Sequence, residues 1–194
     1  MNERSERTST SAGLTIRLAT RSDLVALQPL IDAAIDELQR HVLDVAQVRA
    51  SHAIMGIDTQ LVDDGTYFVV EADGTPAGCG GWSRRATLYG GDHAAGRDAA
   101  RLDPAIDAAR VRAMYTHPAF VRRGVGRLVL ARCEAAAARE GFTRLELMAT
   151  RAGQPLYAAA GFTAIEPFTE SVDGVDIPLL RMGKTIATAR SADE

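Results

Sequence analysis

An α/β fold, with helices packed on a mixed sheet, is what this sequence predicts, and three observations carry the prediction. Apolar residues recur with period two in several short runs and with helical period in others. Helical segments separate only some of the period-two runs, so the sheet cannot be wholly parallel. Asp73-Gly74 and Asp173-Gly174 each stand between β-rich runs, the sequence mark of a tight antiparallel hairpin.

The elements follow in chain order. Residues 1–13, MNERSERTSTSAG, are polar and are expected to form a disordered arm; they lack the apolar core of a signal peptide. Residues 14–20, LTIRLAT, alternate as a half-buried strand. Helical spacing then gathers Leu24, Leu27, Leu30, Ile31, Ile35 and Leu38 on one face, and Thr20 with Asp23 caps its start. A second helical stretch, DVAQVRASHAIM, leads to Gly56. Residues 66–83, TYFVVEADGTPAGCGGWS, form the first hairpin. Residues 83–109 are long, rich in Ala, Gly, Arg and Asp, and poor in apolar side chains, so they read as a functional or disordered loop.

Strand character resumes at residues 109–116, ARVRAMYT. The helix after Gly126 presents Leu128, Val129, Ala131, Cys133, Ala135 and Ala136, a broad face of mostly small residues suited to lying on a sheet, until Gly141 stops it. TRLELMAT is a strand, and GQPLYAAAGF is a short helix with Pro155 in its first turn. TAIEPFTE and IPLLRMGK form the second hairpin. One domain over residues 14–184 and a tail over 185–194 are expected.

Bulk properties exclude several functions. With 194 residues, 46% of them hydrophobic, one core can form without metal or disulfide support. Cys79 and Cys133 lie in unlike segments and have no metal-ligand spacing, so a reducing cytoplasm is the default and no metal site is expected. No run approaches the roughly 18 apolar residues of a membrane span. A net charge of -3 argues against general nucleic-acid binding, which draws on released counterions.

Positive charge is instead local. HPAFVRRGVGRLVL places Gly124 and Gly126 among Arg122, Arg123 and Arg127 at the start of a helix. Free amides and the positive dipole end make that turn an anion site, and the guanidinium groups add donors for phosphate oxygens. A P-loop would need Lys-Ser or Lys-Thr after its second glycine, whereas Arg127-Leu128 follows here. A dinucleotide fingerprint would match both glycines and even place Glu146 near the ribose position, but Val129 stands where its third glycine belongs. A turn that merely packs is the remaining alternative.

The stretch Val121-Arg122-Arg123-Gly124-Val125-Gly126 resembles the acetyl-CoA motif Q/RxxGxG/A of the GNAT superfamily of N-acetyltransferases, departing at Val121. MYTHPAF resembles that family's strand and turn before the loop, and LYAAAGF its tyrosine-containing helix. The resemblance covers residues 16–184 in element order and is specific over 111–162. It implies a mostly antiparallel, twisted sheet of about seven strands flanked by helices, and acetyl-CoA as cosubstrate.

It also implies roles. Arg122, Arg123, Gly124, Val125, Gly126 and Arg127 would hold the diphosphate. Met114, Tyr115 and Thr116 would pair with the pantetheine arm, with the Met114 N–H facing the thioester oxygen; a fixed amide there stabilises the charge that acyl transfer builds. Tyr157 would serve the departing thiolate, and Thr150 and Gln154 would touch pantetheine. Glu146, on the neighbouring strand, is the candidate general base. Loop 83–109, entered from Trp82, would cover a small-molecule or peptide amine acceptor, and Arg84 and Arg85 could select a carboxylate on it. Cys79, in AGCGGWS, sits where small residues let a ligand pass close to the strand. A non-catalytic acyl-CoA sensor is the rival reading, and homodimerisation is compatible with such a domain though no residue specifies it.

Overall fold

The structure is a computed structural model and describes residues 8, 9 and 13–187. Most of the expected N-terminal arm and the end of the expected tail lie outside these residues. Thr8–Ser9 forms a two-residue strand (β1) antiparallel to β2, Leu14–Leu18.

Six further strands complete one sheet: β3 (Tyr67–Ala72), β4 (Thr75–Ser83), β5 (Ala109–Thr116), β6 (Arg144–Thr150), β7 (Thr163–Val172) and β8 (Val175–Thr185). Their spatial order is β1-β2-β3-β4-β5-β6-β8-β7, and every neighbouring pair is antiparallel except β5 with β6. The mixed, mostly antiparallel sheet is therefore as expected: seven strands of five residues or more, plus β1. Both hairpins turn as their Asp-Gly pairs require, with Asp73 and Gly74 at φ 49° and 80° and Asp173 and Gly174 at 49° and 79°. Two consecutive positive φ values match the right-handed twist of the flanking strands.

Helices cover both faces. On one lies α4 (Val125–Arg139), whose buried Val125, Val129, Leu130, Cys133 and Ala137 meet Leu145, Leu147 and Ala149 of β6. Burial of each branched aliphatic side chain there contributes about 1.5–3 kcal/mol. Gly78 and Gly80 of β4 make the approach close, because a Cβ on either would strike Val125 or Val129. The small residues of AGCGGWS thus admit a helix, not a ligand. The Met114 side chain, packed against Gly80 as well, belongs to the same core.

On the other face lies α1 (Leu24–Ala33), with Leu27, Leu30 and Ile31 buried on Tyr67, Val69 and Cys79. Its start is capped as the sequence predicts, the Thr20 N–H donating to Asp23 Oδ2 at 2.7 Å. A π turn over Ala34–Leu38 continues the helix and leaves Gln39 buried at its end. The second helix, α2 (Val45–Ser51), stops short of Gly56 and starts at the Asp44 cap. A five-residue helix, α3 (Thr59–Asp63), has no counterpart in the sequence reading, being too short for periodicity to reveal.

Loop 83–109 is ordered by ion pairs. Arg85 is bidentate to Asp64 at 2.7 Å, Arg84 meets Glu140 at 3.0 Å, and Arg97 reaches Asp58 at 3.0 Å. Arg84 and Arg85 are therefore tethers of the loop and are not available to an acceptor carboxylate. Cys79 and Cys133 are free and buried, and burial pushes the Cys79 thiol up to about 12, which excludes a thiolate nucleophile at neutral pH. No helix among the described residues is long and apolar enough to cross a membrane.

Candidate active site

One irregularity builds the site. Opposite Gly80 the β4–β5 register slips, so that Cys79 pairs with Tyr115 but Gly81 with Arg112, and Ala113 is forced to φ 51°. Such a bulge bends the strand and re-aims its main chain. On its other side β5 keeps only two pairs with β6, Ala109 with Leu145 and Arg110 with Glu146. Beyond them β6 stays with β8, so residues 111–116 and 147–150 diverge and leave unladdered strand edges facing a gap. Unpaired backbone groups of this kind demand a partner.

A cavity of about 980 Å³ occupies the gap. Residues 111–116 form one wall, so Met114, Tyr115 and Thr116 all line it, and Met148 and Thr150 line it from β6. At one end lie Arg122, Gly124, Val125, Gly126 and Arg127 of the glycine-arginine motif. The first i→i−4 bond of α4 runs from the Leu128 N–H to the Gly124 carbonyl at 3.0 Å, which leaves the amides of Val125, Gly126 and Arg127 without an intrahelical acceptor. Arg122 at φ 63° and Gly124 at φ 89° turn the chain left-handed just before them, a concave arrangement of N–H groups suited to an anion.

The two glycines do different work. Around Gly124 a Cβ would meet nothing within 4 Å, so this glycine is required by its φ and faces open space. A Cβ on Gly126 would lie 2.7 Å from Leu156 Cδ2 in α5 (Gln154–Ala159), so its bareness serves helix packing. Among the described residues none of Arg122, Arg123 and Arg127 has a carboxylate partner, whereas Arg17, Arg85, Arg110 and Arg181 are all ion-paired. Arg122 and Arg127 therefore leave uncompensated positive charge beside free amides. Arg123 is the exception within the motif: it does not line the cavity, and its guanidinium lies 5.1 Å from the centre of the Phe120 ring.

Tyr157 of α5 lines the cavity and packs edge-on to Phe162 at 6.0 Å. Its hydroxyl has no hydrogen-bond partner among the described residues, and burial raises its pKa, with nearby Cys133 adding to the effect. The phenol is thus a donor throughout the neutral range. Gln154, at the start of α5, does not line the cavity, whereas Thr150 does and also accepts from the Gly153 N–H at 3.3 Å.

Glu146 is not brought to the cavity. It stands at the closed end of the splay, where Arg110 and Arg181 hold its carboxylate, the latter at 2.7 Å, and Arg181 also binds Glu166 at 2.9 Å. These bonds raise the Arg181 pKa. With both guanidinium groups on its carboxylate and no place in the cavity lining, Glu146 is out of reach of an acceptor amine, and the base role does not survive this geometry. His117 caps its own turn, accepting from the Ala119 N–H at 3.1 Å.

The other half of the cavity is formed by the long loop expected to cover the acceptor and by residues to which the sequence reading gave no site role. Leu38 ends the π turn and Val42 follows it, Ile54 and Met55 come from the turn after α2, and residues 88–91 of the long loop line the cavity with them, as does Leu179. Arg112 also borders this half, its side chain buried and held by Asp58 at 2.5 Å and by the Gly90 carbonyl at 2.8 Å.

Residues 63–164, just over half of the chain, match the sequence model of the acetyltransferase (GNAT) domain. The chain belongs to the GNAT acetyltransferase family. Solved structures agree in fold. A GCN5-related N-acetyltransferase from Rhodopseudomonas palustris superposes with a TM-score of 0.67 at 18% identity, covering 92% of this chain and 99% of its own. An acetyltransferase, yncA, from Salmonella typhimurium, solved with acetyl-CoA, gives 0.60 at 19% identity over 93% and 98% of the two chains. The PaiA N-acetyltransferase from Thermoplasma acidophilum, solved with coenzyme A, gives 0.59 at 16% identity over 89% and 98%. No curated protein sequence matches the chain.

Proposed function

We propose that this GNAT protein transfers the acetyl group of acetyl-CoA directly to a primary amine in a ternary complex. The observation that carries the reading is the cavity in the β5–β6 splay, lined both by the amide-rich turn of Arg122 and Gly124 and by residues 88–91. Cosubstrate and acceptor can occupy it together, and holding them together supplies much of the rate without a covalent enzyme intermediate.

In this reading the turn at Gly124 and the first amides of α4 bind the diphosphate, with Arg122 and Arg127 as charged partners. The pantetheine arm pairs with the free edge of β5 at Tyr115 and Thr116. The Met114 N–H, set by the bulge at Ala113, meets the thioester oxygen as it gains charge. Tyr157 donates a hydrogen bond to the departing thiolate. The acceptor is an amine carried on a largely apolar body, since Leu38, Val42, Ile54, Met148 and Leu179 line its half of the cavity.

The test is a panel of primary amines, from benzylamine and phenethylamine to amino acids and peptide N-termini, with acetyl-CoA consumption followed by release of free thiol. Turnover of the apolar amines above the polar ones is expected. Binding of acetyl-CoA without thiol release across the whole panel would overturn enzymatic transfer and favour a sensor.

A further inference from the structure

The acceptor half of the cavity poses a proton problem. An amine is protonated at neutral pH and must shed that proton before it attacks. Yet among the described residues no aspartate or glutamate lines the cavity. Glu146 is shared between two arginines, and Asp58 is held by Arg112 at 2.5 Å and Arg97 at 3.0 Å. Asp36 binds His52 at 2.8 Å on the surface. His41 lines the cavity but is exposed, and no residue stands behind it as a hydrogen-bond partner among those described.

Glu170 differs from all of these. It lies on β7, opposite Ile177 of β8, and is half-buried on a strand whose residues are otherwise mostly exposed. Among the described residues it has no cationic partner; its Oε2 instead accepts from the Tyr89 hydroxyl at 2.5 Å. Tyr89 belongs to the loop that closes the acceptor half and lines the cavity there. Its ring lies 5.7 Å from that of Phe168 and, like Met148, packs against the buried cluster of Ile54, Ile177 and Leu179 beside the same chamber. The carboxylate is thus one phenol away from the cavity, with no guanidinium or ammonium group on it among the described residues.

We propose that Tyr89 and Glu170 form the outlet for the acceptor's proton. The ammonium gives a proton to the Tyr89 oxygen while the phenolic proton passes to Glu170. This leaves a neutral amine, an intact phenol and a protonated carboxyl, which then loses its proton to solvent. Tyr89 would be the catalytic residue that touches the amine, and Glu170 a positioning and relay residue acting through it. Burial, and then the bond to Glu170, raise the Tyr89 pKa, so the phenol serves as a conduit and not as a standing phenolate. The proposal rests on the acetyltransfer reading above and deepens it.

Tyr89→Phe keeps the ring and its packing, and Glu170→Gln keeps an oxygen that can accept from Tyr89 but cannot be protonated at neutral pH. With an alkylamine from the panel, each variant should lose about 10²-fold in kcat, with the KM for acetyl-CoA unchanged and the double variant no worse than either single one. With an aniline, already unprotonated at neutral pH, the deficit of both variants should shrink toward parity. Melting curves show whether either variant is misfolded, and the remaining variant then carries the test. Wild-type kcat in a folded variant would overturn the outlet and leave His41 or water as the exit. A loss equal for alkylamines and anilines would make the pair merely structural. Absence of wild-type turnover with every amine would instead sink the acetyltransfer reading on which the proposal rests.

Discussion

Replacing Gly78 with alanine should loosen the β4–β5 pair and the cofactor turn together. The new Cβ would fall within contact distance of Val125 Cγ1 and 2.7 Å from the Tyr115 carbonyl oxygen. Val125 is 1% exposed and has no room to retreat, and the carbonyl is main chain and cannot rotate aside. Overpacking of this kind costs about 1–3 kcal/mol, offset by about 0.4–1 kcal/mol from the stiffer unfolded chain. A net loss of about 1–2 kcal/mol lowers the melting temperature by roughly 2–8 °C in a chain of this length. Val125 opens α4 and Tyr115 belongs to the β5 wall, so acetyl-CoA affinity should fall as well. Calorimetric melting and titration read both effects. Gly126→Ala is the control for stability alone: its Cβ would meet only the side-chain end of Leu156 and no main chain of another element. A Gly78→Ala protein that melts and binds like the parent, or a Gly126→Ala protein that loses as much stability, would refute this packing argument.

Tyr157→Phe should bind acetyl-CoA normally yet turn over more slowly, by about 10²-fold if its hydroxyl serves the departing thiolate; steady-state kinetics separate KM from kcat. Acid stability depends on Asp23, whose pKa is lowered from 3.8 to about 2, first by its hydrogen bond to Arg17. A depressed carboxylate pKa contributes stability above its unfolded value that is lost as pH falls through the folded one. Denaturant titrations should therefore find Asp23→Asn less stable by about 2 kcal/mol at neutral pH, with the difference vanishing as pH approaches 2.

Both hairpins were legible because Asp-Gly fixes a turn type locally, and α4 was legible because fifteen residues are enough for its apolar face to show. The turn at Gly124 before α4 was legible for the same reason, as its glycines and arginines are close together in the chain. The splay was not. It depends on the bulge at Ala113, a residue whose type gives no hint of positive φ, and on β6 preferring β8 over β5. Glu146 shows the limit well: alternation puts it on a face opposite Leu145 and Leu147, but its fate is decided by Arg110 and Arg181 on neighbouring strands. Tyr89 and Glu170 meet only because the long loop folds back over β7, a contact across 81 positions that no local pattern encodes.

Isothermal titration of acetyl-CoA into the wild type and into Gly124→Glu tests the central claim most directly. Glutamate at φ 89° would strain the turn by about 1–2 kcal/mol and set a negative charge beside the phosphates. We expect salt-sensitive binding by the wild type and none by the folded variant. Equal affinity in the two proteins would place coenzyme A elsewhere and contradict the account.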